Sequence, residues 1–290
     1  MADRLVILGC KGGPAIRPGG PNPTSSLLEL GDRRIVVDCG LGVTRGLVDA
    51  GVDLRSLHMV WITHLHSDHL LELGPLLHTA WTSGLDRAVT VFGPEGTGDY
   101  WRHFLASMAF DNAIRVDDEG RRPLEELVTV RSYGAGTALA DEALRVEALR
   151  VKHPPVTDTF ALRFESRGKS LTFSADTAFF EPLADFARGS DVLVHEAMLG
   201  EGVDALVART GLGEQLRAHL HNSHCLAEDA ARIAAQAGVR HLVLHHLIPA
   251  DDPAFSPRDF RDRAARHFDG KISVGRDGLE IELEGEPNAA

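Results

Sequence analysis

Apolar and polar positions along the chain follow two periods. Residues 5–8, 26–30, 34–38 and 57–62 are short apolar runs of strand length, and Gly31-Asp32 joins the second and third as a tight hairpin. Residues 70–81 change to helical spacing, 88–92 read as a strand again, and 98–110 as a second helix. The second half repeats this in kind. Strands are predicted over 127–130, 144–151, 159–164, 170–174 and 192–195, followed by helices over 205–219, 226–237 and 257–267, with a strand over 241–244 between the last two. Two runs of strands, each followed by helices, predict two sheets packed face to face with helices outside: an α/β four-layer αββα sandwich.

The strand at 57–62 runs directly into candidate chemistry. His64, His66, Asp68 and His69 lie within one hexapeptide where a strand gives way to a loop. Imidazole nitrogens and a carboxylate at such spacing suit a borderline divalent ion, and one ion would use only part of the set. His64 and His66 can share one, leaving Asp68 and His69 for another. Further candidates also stand at strand ends. His153 precedes Pro154-Pro155, which stops its strand; Asp176 follows the strand at 170–174, where a turn-capping Asp is the ordinary alternative. His245 and His246 end the strand at 241–244, and only one of two adjacent strand residues can face a shared site. His195-Glu196 closes another strand, and His221 and His224 flank Ser223, a possible helix cap. Asp38 either supports a ligand histidine or serves a strand-end turn.

With 43% hydrophobic residues in 290, the chain can bury a large core, and no linker or repeat divides it, so residues 1–290 read as one domain. The formal net charge of −12 and the absence of any basic run longer than a pair argue against a nucleic-acid partner. Three cysteines without C-x-x-C spacing point to a reducing, cytoplasmic setting, and no stretch has the length of a membrane span.

In this order the motifs resemble the metallo-β-lactamase superfamily across nearly the whole chain, most of all its ribonuclease Z and arylsulfatase-like branch. Gly12-Gly13 with Ser25-Ser26 is similar to the branch's N-terminal glycine loop, and Val37-Asp38-Cys39-Gly40 to its first acidic motif. His64, His66, Asp68 and His69 fill the signature motif, and Asp176 matches a later one with Ala175 where Gly is usual. His195-Glu196-Ala197-Met198 resembles a His-Glu-Ala-Thr box altered at its last position. The resemblance implies one metal on His64, His66 and His153, another on Asp68, His69 and His246, and Asp176 between them. Zinc is the default, with manganese or iron as alternatives.

Two such ions imply hydrolysis, with Asp68 orienting the water and His224, steadied by Glu196, meeting the oxyanion or the leaving group. The favoured substrate is a small-molecule ester, whether phosphodiester, sulfate, carboxylic ester or lactone. Transfer-RNA 3′-end processing ranks second, because ribonuclease Z enzymes commonly carry an RNA-gripping arm between the third and fourth metal motifs, and His153 and Asp176 are only 176 − 153 = 23 positions apart. A non-catalytic metal-binding module ranks third. The resemblance leaves a homodimer open, and residues 98–118 with 200–221 are candidates for a pocket lid, walled by Trp101, Phe104, Met108 and Phe110.

Overall fold

Along the first strand, β1 (Arg4–Gly9), alternate side chains enter different cores. Leu5 and Ile7 pack between two sheets, whereas Val6 and Leu8 pack under helices on the outer face. A computed structural model describes residues 3–283; the two residues before and the seven after this range belong to the expected 1–290 domain but lie outside it. The other strands among the described residues are β2 (Ser25–Leu30), β3 (Arg33–Cys39), β4 (Met59–Trp61), β5 (Val89–Gly93), β6 (Val128–Ser132), β7 (Gly136–Ala140), β8 (Arg145–Arg150), β9 (Phe160–Ser166), β10 (Lys169–Phe173), β11 (Val192–Met198), β12 (His241–Ile248), β13 (Lys271–Val274) and β14 (Leu279–Glu282).

They form two mixed sheets, ordered β14-β1-β2-β3-β4-β5-β6 and β13-β12-β11-β10-β9-β8-β7. Trp61 of β4 fixes the inter-sheet core. Its ring stacks on Phe92 at 4.1 Å and meets the edge of Phe164 from the opposite sheet at 5.7 Å. Helices Val43–Asp49, Leu73–Thr82 and Thr97–Ser107 cover the first sheet, and Ala227–Ala237 and Pro257–Ala264 the second, which is the expected αββα layering.

Strands β3 to β6 run parallel, as do β10 to β13, and the carboxyl ends within each set point to one rim. Differences from the sequence reading have local causes. The helix expected over 98–110 ends at Ser107, and a second one, Ala109–Glu119, begins after Met108 leaves helical geometry. The helix over 205–219 is two, Gly200–Thr210 and Gly213–Ser223, because Gly211 and Gly213 take positive φ between them. Edge strands β7 and β14 and the short β13 carried too little alternation to be read.

His241, at the start of β12, is buried with Nε2 2.9 Å from Ser273 Oγ. Burial and the nearby Lys271 push it down to about 4 from 6.5. Between those values the unfolded chain binds a proton that the folded chain excludes, so this contribution is complete above about pH 6.5 and is lost as pH falls toward 4. His241→Gln should therefore flatten the decline of the urea midpoint between pH 7 and 4.5. An unchanged decline would show that other groups carry it.

Candidate metal centre

Most candidate side chains sit where a strand ends at the common rim, and His224 caps the helix Gly213–Ser223 beside them. His64 follows β4, and Ser67–Leu70 is one helical turn from which Asp68 and His69 project. His153 follows β8, Asp176 follows β10, Glu196 lies in β11 and His246 in β12.

Local backbone irregularity aims three of these groups. In the β11–β12 ladder His245 pairs with Glu196 and Leu247 with Ala197, so His246 is an inserted residue with φ 45°. Likewise Ser25 pairs with Cys39 and Ser26 with Val37, which leaves Asp38 bulged at φ 63°. Ala175, at φ 53°, turns the chain so that Asp176 enters the rim. A positive φ at this position accounts for a glycine there in the resembled family. Strained non-glycine backbone thus gathers at the site.

Three overlapping groups of donors result among the described residues, His64, His66, His153 and Asp176, then Asp68, His69 and His246, and finally Asp176, His224 and His246, each with ligand atoms within 4.8 Å of one another. Asp176 belongs to two of them. Its Oδ2 is 3.1 Å from His246 Nε2, 3.3 Å from His69 Nε2, 3.7 Å from His64 Nε2 and 3.8 Å from His153 Nε2. The neighbours of each ring set its tautomer. His153 Nδ1 donates to Ser223 O at 2.8 Å, so Nε2 presents a lone pair to His66 Nδ1 at 3.0 Å. His64 Nε2 is also 3.0 Å from that atom. His69 Nδ1 donates to Asp38 Oδ2 at 2.8 Å, which leaves Nε2 without a hydrogen-bond partner, facing the Asp68 and Asp176 carboxylates.

Lone pairs and carboxylate oxygens that converge in a buried space call for positive charge. Burial alone would raise Asp68 and Asp176, yet both are held far below the usual carboxylate range, Asp68 foremost by His69 and Asp176 foremost by His246. Burial works against a charged His246, but Asp176 and Asp68 pull it up to about 10. His66, with no such carboxylate partner in hydrogen-bond range, is pushed down to about 4 by burial and by His153. The residues fit divalent ions: nitrogen and oxygen donors, deprotonated or readily so, with outer hydrogen bonds that hold each ring.

Asp38 accepts from Thr63 N at 2.8 Å besides His69, so of its two sequence readings the structure shows support of a histidine. Gly13 N donates to Asp68 Oδ2 at 2.8 Å. Gly12 must be small: a Cβ there would lie 2.8 Å from the His246 ring. His224 Nδ1 is 3.0 Å from Glu196 Oε2, and its ring stacks on His246 at 5.3 Å. Burial disfavours its charged form, but Glu196 raises it above the ordinary histidine value. His195 bonds Glu196 O at 2.7 Å, His245 bonds Gly9 O at 2.9 Å and His221 is exposed; none of the three joins the cluster.

The centre opens into a cavity of about 400 Å³. Its walls come from the 11–17 loop, the two helices over 200–223 and residues 248–251, and not from 98–118. Trp101 packs instead in the outer core of the first sheet, and Phe110 is exposed, so the lid expected from that region is corrected. Lys11, Arg17, Arg209 and His219 line the cavity and were missed, because nothing in their own segments marks them.

Fold and site together define a metal-dependent hydrolase of the metallo-β-lactamase fold. Residues 33–247 match the beta-lactamase superfamily domain, and the chain belongs to that superfamily. It is 32% identical to a Ribonuclease Z of Mycobacterium bovis over 96% of this chain and 98% of the relative. In fold it is similar to the metallo-beta-lactamase fold protein YhfI from Bacillus subtilis (TM-score 0.70, 22% identity, 97% and 99% of the two chains). Human tRNase Z, short form, matches with the same TM-score and coverage at 18% identity. The ribonuclease relatives overturn the expectation that a nucleic-acid partner is unlikely. That expectation rested on net charge summed over the chain, whereas a substrate meets the local groups, and in this cavity Lys11, Arg17 and Arg209 stand among Asp68, Asp176 and Asp251.

Two variants test the geometry. Asp38→Ala should leave the fold intact and weaken metal binding by about 10- to 100-fold, measured by chelator competition, since His69 loses its orienting partner. Unaltered affinity would reduce Asp38 to a turn residue. Ala175→Gly should relieve about 1 kcal/mol of left-handed strain, partly offset by greater freedom of the unfolded chain; a clear fall in melting temperature would contradict the strain.

Proposed function

We propose that the chain is a ribonuclease Z-like endonuclease that hydrolyses one phosphodiester bond near the 3′ end of transfer-RNA precursors. What carries the reading is the buried donor set around Asp176 Oδ2 in a chain whose relatives at 30–32% identity are named Ribonuclease Z. In this reading His64, His66 and His153 hold one divalent ion and Asp68, His69 and His246 a second, with Asp176 shared and zinc the ion best matched to the donors. Bound there, two ions would supply the Lewis-acid charge that acidifies water and offsets charge on the phosphate oxygens.

The chain's own groups do the rest. Asp68, fixed by Gly13 N, orients the attacking water with the oxygen turned to the cavity. His224 has Nδ1 committed to Glu196, so Nε2 is the nitrogen left for the substrate, and it delivers a proton to the departing oxygen. Glu196 holds that ring through contacts to Thr177 N and Cys225 N. The short span from His153 to Asp176 is taken up by the β9–β10 hairpin within the sheet, so substrate grip must come from elsewhere.

Purified protein loaded with zinc should cut precursor transfer RNA to a defined 3′ end, mapped by adaptor ligation to that end and sequencing. Cleavage of bis-p-nitrophenyl phosphate alone, with the RNA untouched, would return the assignment to small diesters. His224→Ala should lower turnover by about 10²- to 10⁴-fold with metal content unchanged; loss of metal would make His224 a ligand instead.

A further inference from the structure

The carboxylate assigned to orient the attacking water is itself held by a loop with little rigidity of its own. Gly13 N donates to Asp68 Oδ2 at 2.8 Å, and Gly13 belongs to a segment, residues 10–22, that also contains Gly12, Gly19 and Gly20. Gly13 and Gly19 take positive φ. Glycines open many conformations to such a chain, so the Gly13 amide stays aimed at Asp68 only if both ends of the loop are fastened.

One side chain fastens both. Asp277 Oδ1 accepts from Cys10 N at 3.2 Å, on the outgoing leg of the loop, and Oδ2 accepts from Asn22 N at 2.8 Å, on the returning leg. The legs also meet each other, with Lys11 N donating to Asn22 O at 3.0 Å. The outgoing leg has a further tie to β12, because Leu247 N donates to Cys10 O at 2.8 Å and Leu247 O accepts from Gly12 N at 3.1 Å. On the returning leg Asn22 stands between Pro21 and Pro23, which have no N–H, so Asn22 N is the one backbone donor that residues 21–23 can offer. Asp277 takes it.

The turn that carries Asp277 is anchored in both sheets. It joins β13, at the edge of the second sheet, to β14, at the edge of the first. Gly275 N donates to Leu244 O of β12 at 2.7 Å, and Gly278 N donates to Ile7 O of β1 at 2.8 Å. A Cβ on Gly275 would lie 2.9 Å from Leu244 O and 3.1 Å from Cys10 Cβ, so the turn packs directly against the base of the loop. The metal donors have the same two anchors: Asp68 follows β4 of the first sheet, and His246 lies in β12 of the second.

We propose that Asp277 is a positioning residue for Asp68: it closes the neck of the 10–22 loop, so that the Gly13 amide holds the Asp68 carboxylate in its working orientation. Among the described residues Asp277 belongs neither to the donor groups nor to the wall of the cavity they open into, so it acts through the loop. The assignment rests on the reading of Asp68 as the group that orients water, and it is the same whichever phosphodiester is cut. Opening the clamp leaves the donors in place and lets the orienting carboxylate drift, and a small misplacement of such a group lowers turnover about 10- to 100-fold.

The test measures amide hydrogen exchange and phosphodiester turnover on the zinc-loaded protein. In Asp277→Ala the amides of residues 11–13 should exchange about tenfold faster or more, while those of the helix Ala227–Ala237 keep their rates. With precursor transfer RNA or bis-p-nitrophenyl phosphate, whichever the wild type cuts, kcat should fall about 10- to 100-fold while KM and zinc content hold. Asp277→Asn keeps one carbonyl oxygen for an amide and should show a smaller change in both measurements; it decides if the alanine variant fails to fold. Glu280→Gln weakens the ion pair with Arg4 on neighbouring β14 and serves as the control for plain destabilisation, with exchange at 11–13 and kcat as in the wild type. Unaltered exchange at 11–13 in Asp277→Ala, or a loss of turnover that Glu280→Gln shares, would overturn the clamp. Faster exchange with kcat unaltered would overturn its link to Asp68. A wild-type protein that cuts neither substrate would overturn the hydrolytic reading, and the exchange rates would still decide the clamp.

Discussion

Two buried carboxylates among imidazoles whose lone pairs face one another set the terms for the rest of this structure. Asp68 and Asp176 are nearly cut off from water, and two of the imidazoles around them are aimed at the cavity by hydrogen bonds on their other side, from His153 to Ser223 O and from His69 to Asp38. Such a cluster is costly to bury without compensating positive charge. Its persistence in the folded chain requires rigid supports that hold the groups together, and cations complete it.

Those supports are the carboxyl ends of parallel strands. Stacked sheets with a dense aromatic core around Trp61 keep the strand ends in place, and bulges at Asp38 and His246 redirect two side chains that a regular pleat would point elsewhere. His245 and His246 make the point within one dipeptide. The regular residue is spent on a backbone carbonyl of β1, and the inserted one reaches the cluster. Backbone strain is thus concentrated at the rim, where the surrounding ladder can hold it.

Charge in this protein is a local property. Many cations at the surface are paired close in sequence with acids, as in Arg45–Asp49 and Arg258–Asp262, and the chain as a whole is acidic. Around the cavity the arrangement is different: Arg17 and Arg209 come from segments nearly two hundred residues apart and share Asp251, and the Lys11 ammonium is held beside them by Gly12 O and Gly13 O. A net charge says how the molecule repels a polyanion at a distance, and little about what it holds on contact.

The sequence alone carried the layered α/β fold and the short motifs, because strand periodicity and the contiguous His64 to His69 run are local signals. It also placed His153 and Asp176 at strand ends, which singled them out from other His and Asp residues. It could not choose between the two readings of Asp38, since a bulge depends on the neighbouring strand, and it missed β7, β13 and β14, which are held by their partners more than by their own pattern. The break at Met108 was also beyond it, and of the cavity wall it anticipated the region 200–221 but not the 11–17 loop. Which side chains share the space beside the donors was decided only when the two sheets closed, because Lys11, Arg17, Arg209 and the leucines of the 200–223 helices meet through tertiary packing and carry no common sequence signal.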